Sequence, residues 1–338
     1  MIIDIHAHAF PPLSEASGYH TSEEHLKYIQ KQASVSTHMR FEGELPRPDE
    51  DVKFRVGKYG KFEWTKGGRD CFLRYMAPAI VDLAWPPENM LAHMDWVGVD
   101  KAILYQGHIY GRLNDYLADC VKKWPDRLVA VAQIDESRAW EEDQLTELKR
   151  SVSVLGLKGL YFEMPQRPNI DDERFSSLWN ELQNLKIPLM LELGRRSTAE
   201  QYLEVVSRTI KVMKKHDLKT IITVMGSNIR DPKDLEYVNI PKRILHLIEL
   251  PNVWYEIGYL LGFDNFDEYP YLLAQKMTRE AYKTIGADKL VWGSDMPMLM
   301  RTCTYRQAID FIRRHCNFLS EAEKNLVLGE NAARILNL

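Results

Sequence analysis

Short apolar runs alternate with stretches of helical periodicity along most of this chain, a pattern that predicts an α/β architecture with parallel strands. Residues 2–8, 101–106, 128–134, 157–163, 188–193, 220–225, 253–257 and 290–295 are the eight candidate strands. Between them, residues 87–97, 114–124, 141–155, 175–185, 198–216 and 240–250 carry apolar positions at helical spacing, and each is long enough to be a crossover. Eight β-then-α units predict a (β/α)8 barrel, one domain over residues 1–338. A doubly wound sheet would instead place a Gly-rich phosphate loop after the first strand, where this chain reads His-Ala-His-Ala-Phe-Pro-Pro.

Residues 11–85 break the alternation. The stretch is too long for an ordinary βα loop and holds structure of its own, including a predicted hairpin over residues 54–64. It reads as an insertion after the first strand, a lid over the carboxyl end of the barrel where active sites of this architecture sit. His20, His25, His38, Arg55, Trp64 and Arg69 are its residues with reach towards a pocket, although each reads first as loop packing. Near the other end, Ser320 with Glu323 three residues on predicts a capped helical segment that closes the chain.

Composition narrows the function classes. Lys and Arg number 44 against 48 Asp and Glu, a formal charge of −4, and the basic residues are interspersed rather than clustered, so no nucleic-acid footprint is expected. No run approaches the length of a membrane span, and the first residues lack the basic region of a signal peptide. Cys71, Cys120, Cys303 and Cys316 show neither metal-type spacing nor the density of a disulfide scaffold. The expectation is a cytoplasmic protein with a small-molecule substrate and neither nucleic-acid nor membrane partners.

Candidate chemistry begins at His6 and His8. Two apart on a strand, they project from one face and their rings can converge on one ion. Residues 289–297 are a second apolar strand ending in an oxygen ligand, Asp295, which shares a face with Val291 and Gly293. The same parity turns Glu163, with Tyr161, and Glu192 inward at their strand ends. His6, His8, Glu163, Glu192 and Asp295 are thus the candidate metal ligands. Three carboxylates exceed what one divalent ion balances in a partly dry pocket. Either two ions bind, or one carboxylate stays free as a general base. The mix of imidazole and carboxylate favours zinc, with manganese or iron as alternatives.

Several motifs together resemble the amidohydrolase superfamily, in the branch that includes the aminocarboxymuconate semialdehyde and γ-resorcylate decarboxylases. They are Ile3-Asp4-Ile5-His6-Ala7-His8, Met94-Asp95-Trp96-Val97-Gly98-Val99-Asp100, Trp124-Pro125-Asp126-Arg127-Leu128, Val154-Leu155-Gly156-Leu157-Lys158-Gly159, Gly293-Ser294-Asp295-Met296-Pro297 and Glu330-Asn331-Ala332-Ala333-Arg334. The resemblance implies a distorted TIM barrel, His6 and His8 as first-strand ligands, Asp295 as eighth-strand ligand or proton carrier, and a possible homodimer. It also exposes two departures: the family's strand-five and strand-six histidines are replaced here by Glu192 and Val224. Val224 can neither bind metal nor donate a proton. His108, Tyr161, Asn228 and Glu256 are candidates to stand in for it, His108 as a catalytic group and Tyr161 and Asn228 also as substrate contacts. His93, His216, His246 and His315 fall in helices or at helix ends and read as structural.

The leading expectation is a metal-dependent hydrolase of a small carboxylated or aromatic substrate, with Asp295 as proton shuttle and Arg195 and Arg196 clamping a substrate carboxylate. Nonoxidative decarboxylation of an aromatic acid is the alternative. A catalytically dead barrel used for binding is the third reading, which the loss at Val224 invites.

Overall fold

The computed structural model describes residues 1–36, 39–163, 168–194, 198–223, 240–258, 261 and 268–338. Strand β1 (Ile3–Ala7) opens the chain and is followed by the insertion, with helix α1 (Ser22–Ala33) and strands β2 (Phe41–Glu42), β3 (Arg55–Val56), β4 (Lys61–Lys66) and β5 (Arg69–Arg74). Seven further strands then alternate with helices: β6 (Lys101–Leu104), β7 (Leu128–Ala130), β8 (Leu160–Glu163), β9 (Leu189–Glu192), β10 (Thr220–Thr223), β11 (Val253–Ile257) and β12 (Leu290–Trp292). All eight predicted strands are present, most of them trimmed at the carboxyl end. There the chain leaves the ladder, because its polar groups bond elsewhere; the Ser294 N–H, for example, donates to Asp4 Oδ1 at 2.9 Å.

Two parallel sheets result, in the orders β1-β6-β7 and β12-β11-β10-β9-β8. Single parallel bridges, Ala7 with Met296 and Ala132 with Leu160, connect the outer edges of one sheet to those of the other. Alternation along each strand separates two apolar clusters. One takes Ile3, Ile5, Ile103, Val129, Tyr161, Met190, Ile221 and Val291, with Trp254 packed against it, so that all eight strands contribute. The other takes the opposite parity, including Leu104, Leu128, Phe162, Leu191, Ile222, Tyr255 and Trp292, together with the helix faces. Strands buried on both sides are what a helix-covered parallel sheet requires.

The helix Pro87–Val97 matches its expected bounds because both ends are marked: Pro87 sits in the first turn, and Gly98, at φ 77°, ends it with its N–H on the Met94 carbonyl. Ser320 and Glu323 form the expected capping box. All four cysteines are free and buried. Among the described residues no helix is long and apolar enough to cross a membrane.

The insertion begins and ends at one place. Phe10 and Trp85 exchange backbone hydrogen bonds of 2.8 and 2.9 Å. The predicted hairpin pairs Arg55 with Glu63 and Val56 with Phe62, inside a four-stranded antiparallel sheet ordered β2-β5-β4-β3. Trp64 is buried there and donates through Nε1 to the Glu44 carbonyl, so it serves packing. Arg69 is exposed and Arg55 pairs with Glu63. His20 is also exposed. His25 on α1 is buried with both ring nitrogens 2.9 Å from carbonyl oxygens, of Glu15 and Ile109, which ties the insertion to the loop after β6. His38 lies outside the described residues.

Asp4, wholly buried on β1, fastens β1 to the turn after β12. Its Oδ1 accepts from the N–H groups of His6 and Ser294, and its Oδ2 from the hydroxyls of Ser294 and Tyr305 at 2.5 and 2.8 Å. Burial raises its pKa from 3.8 to about 6 against these hydrogen bonds. The folded carboxyl therefore holds its proton more tightly than the unfolded one, and its contribution to stability falls as pH rises through that interval. Asp4→Asn keeps the Oδ1 acceptor and presents an amide to two hydroxyls that can turn to accept. The expected cost is about 1 kcal/mol by urea denaturation, with a flatter pH slope, and a loss above about 3 kcal/mol would mean that the hydroxyls are not free to turn.

Candidate metal centre

The carboxyl ends of β1 and β12 meet at the Ala7 to Met296 bridge, which brings the first-strand histidines to the turn after the last strand. His6, His8 and Asp295, all buried, each offer a ligand atom, and these atoms lie within 4.8 Å of one another. Both imidazoles face the same carboxylate oxygen: Asp295 Oδ1 is 2.8 Å from His8 Nε2 and 3.6 Å from His6 Nε2. Asp295 reaches this position with φ 62°, a left-handed conformation that costs a non-glycine residue about 1–3 kcal/mol. Hydrogen bonds from its N–H to the His6 carbonyl (2.8 Å) and from the Leu299 N–H to its own carbonyl (3.0 Å) hold it there.

The opposite side of each ring is also occupied. His8 Nδ1 is 3.1 Å from the Tyr105 carbonyl, an acceptor only, so Nδ1 bears the proton and Nε2 is turned to the cluster. His6 Nδ1 lies 2.9 and 3.2 Å from the two carboxylate oxygens of Glu256, which is itself buried on β11. Burial works against charge on His6, but the Glu256 carboxylate, with Asp295 and Asp4 beyond it, outweighs burial and raises the ring's pKa to about 9. Gly293 makes room for this pair: a Cβ there would lie 2.4 Å from Glu256 Oε1 and 2.8 Å from His6 Cβ. Aromatic rings wall the site. Tyr105 stacks on His6 with centroids 4.6 Å apart, and Tyr110 lies 4.9 Å from His8.

Among the described residues, the other two candidate ligands stay outside this cluster. Glu192 accepts from the Tyr161 hydroxyl at 2.5 Å, which also gives Tyr161 a partner other than a substrate. Glu163 is exposed at the end of β8, in register with Glu192, and its N–H donates to Glu136 Oε1 at 3.4 Å. His108 pairs through Nε2 with Glu136 Oε2 at 2.6 Å. Arg195, Arg196, Val224 and Asn228 lie outside the described residues. His93 and His315 are paired locally, with the Asn89 carbonyl and the Tyr269 hydroxyl, as structural histidines would be.

Sequence reasoning passed over Glu136 and Tyr110, named Gly293 only for its face and motif and not for the room it leaves, and considered Glu256 only as a stand-in for the lost histidine. Glu256 carried a usable signal, being the one charged residue in the run Val253-Trp254-Tyr255-Glu256-Ile257, where a buried carboxylate needs a partner. Tyr110 lies in a turn and Glu136 in a single 3-10 turn (Glu136–Arg138), both too short for a period to constrain direction.

The family model described as amidohydrolase matches residues 3–338. The chain belongs to the amidohydrolase family. The fold of that family is of TIM-barrel type. Among solved structures, a probable 2-pyrone-4,6-dicarboxylic acid hydrolase from Acinetobacter baumannii is 16% identical, with TM-score 0.62, over 100% of this chain and 99% of that one. The 2,6-dihydroxybenzoate decarboxylase from Rhizobium is 20% identical, with TM-score 0.56, over 75% of this chain and 89% of its own. A dihydroxybenzoic acid decarboxylase from Polaromonas sp. JS666, with bound manganese and 2-nitroresorcinol, is 18% identical, with TM-score 0.55, over 76% and 87%. At these identities the likeness is one of fold. No curated protein matches the sequence significantly.

The donor set of this amidohydrolase suits a divalent metal. Two imidazoles of fixed tautomer and one carboxylate give three ligands, which leaves coordination open for water or substrate as catalytic sites do. The acceptors behind both rings are the outer groups that orient metal-binding histidines.

Proposed function

We propose that this amidohydrolase is a metal-dependent hydrolase of a small carboxylated or aromatic substrate, built as an eight-stranded barrel with residues 11–85 as a lid over its mouth. The observation that carries the proposal is the convergence of His6 Nε2, His8 Nε2 and Asp295 Oδ1, with each ring's other nitrogen already bonded. With one carboxylate rather than three in the cluster, a single ion is balanced, and zinc is the first candidate, ahead of manganese and iron. When bound, such an ion supplies Lewis acidity, drawing charge from a substrate oxygen and lowering a water's pKa from about 15.7 towards about 7.

The chain's own groups do the rest. Asp295 Oδ2 makes no hydrogen bond among the described residues, so it is the oxygen that can take a proton from the attacking water and pass it on. Glu256 and the Tyr105 carbonyl hold the imidazoles in place. The rings of Tyr105 and Tyr110 exclude bulk water from one side, which strengthens the electrostatics within.

Nonoxidative decarboxylation is the second reading, favoured by the likeness to two hydroxybenzoate decarboxylases, one with manganese bound. Metal analysis and assay of the purified protein test both readings. About one ion per chain is expected, with turnover lost on chelation and restored by metal. Hydrolysis of carboxylated esters and lactones without carbon dioxide release supports the first reading, and carbon dioxide from hydroxybenzoates the second. Less than a tenth of an ion per chain after growth with metal removes both.

A further inference from the structure

A second polar cluster is carried by the same stretch of chain that orients His8. Residues 105–110 contribute the Tyr105 carbonyl that orients His8, the Tyr110 ring that lies against it, and between them His108. The Nε2 of His108 is 2.6 Å from Glu136 Oε2 and 3.0 Å from the Ile134 carbonyl. Both partners accept, so Nε2 carries a proton shared between them. Glu136 is held in turn: it is 7% exposed, and its other oxygen accepts from the Glu163 N–H. The opposite nitrogen, Nδ1, makes no hydrogen bond among the described residues, and the side chain keeps 12% of its surface exposed. A histidine with one nitrogen pinned by a buried carboxylate and the other open is the arrangement that serves proton transfer.

We infer that His108, held by Glu136, is the general acid of this site and protonates the leaving group through Nδ1. The inference rests on the hydrolase reading above. In the step, the water oxygen bonds to the acyl carbon while the bond to the leaving group breaks. The water's proton goes to Asp295, the leaving group takes the proton from His108 Nδ1, and the proton on Asp295 returns to His108 through solvent. Burial disfavours charge on His108, but Glu136 outweighs it, helped by Glu163 and Asp135, so its pKa is raised. Among the described residues Tyr28 of α1 also packs on the ring, edge-on at 5.9 Å. Tyr19 of the insertion donates its hydroxyl to the His108 carbonyl at 3.1 Å, fixing the backbone that carries the ring.

The test uses metal-loaded protein and two probes, para-nitrophenyl benzoate, whose leaving group needs no proton, and ethyl benzoate, whose leaving group does. His108→Gln is expected to lose about 100-fold in kcat on the ethyl ester and less than about 3-fold on the nitrophenyl ester, with metal content unchanged. Glu136→Gln, which keeps the histidine, should shift loss in the same direction and lower the His108 pKa read by ring nitrogen NMR. Equal losses on both esters, or none on the ethyl ester, overturn the acid role while leaving the hydrolase reading intact. A metal-loaded wild type that splits neither of these esters nor the carboxylated esters and lactones above sinks the hydrolase reading and the acid role with it. The nitrogen shifts of His108 decide the dyad independently, since a proton on Nδ1 with Nε2 bare would contradict the pairing with Glu136.

Discussion

Asp295→Asn is expected to lower kcat by about 10²–10⁴-fold while the protein still binds metal, and Asp295→Ala to lose both. The asparagine keeps a carbonyl oxygen where Oδ1 meets the two imidazoles at 2.8 and 3.6 Å, so coordination survives in weakened form. What it cannot do is accept a proton, and no other carboxylate joins the cluster among the described residues to take over. The alanine removes the ligand as well, leaving two imidazoles that cannot neutralise a divalent charge. Metal content by plasma spectrometry and single-turnover kinetics on the same preparations separate the two losses. An Asp295→Asn variant that keeps more than a tenth of wild-type turnover would show that the proton travels by another route.

Both variants probe a residue that the sequence made readable. The period-two alternation of residues 290–295 put Asp295 on the face of Val291, and Val291 does join the apolar cluster fed by all eight strands. Where a strand is buried on both sides, parity is enforced by packing, so the strand cores could be read with little error. At the last ladder position of a strand the parity still holds, but packing no longer fixes where a side chain's polar end turns. Glu163 and Glu192 share the parity of Tyr161 and Met190, which do pack in that cluster, but Glu163 is exposed and Glu192 is bonded to Tyr161, and neither joins His6, His8 and Asp295 among the described residues. Nothing in the alternation tells whether a terminal carboxylate turns to an ion, to a phenol or to water. The insertion shows the same limit: the hairpin of β3 and β4 was legible from its glycines and alternating aromatics. Its pairing with β2 and β5 depends on contacts distant in sequence. The partnership of Glu256 with His6, 250 residues apart, was invisible for the same reason.

Loss of that partnership should be felt at the metal rather than in the chemistry. Glu256→Ala is expected to weaken metal binding by about 10–100-fold, measured by competition with a chromophoric chelator, because His6 loses the group that fixes its tautomer and aims Nε2. Glu256→Gln keeps an acceptor oxygen near His6 Nδ1 and should lose less. Gly293→Ala attacks the same pair without touching either partner, since its Cβ would stand 2.4 Å from Glu256 Oε1 and 2.8 Å from His6 Cβ. The carboxylate must withdraw, so this variant should fall in the same range as Glu256→Ala. The two changes should then be non-additive, because once the glutamate is shortened the added methyl has lost the nearer of its two obstacles. If Gly293→Ala weakens metal binding as much in the Glu256→Ala background as in wild type, the glycine acts on His6 alone. The narrow gap would then exist for the histidine's side chain rather than for the carboxylate behind it.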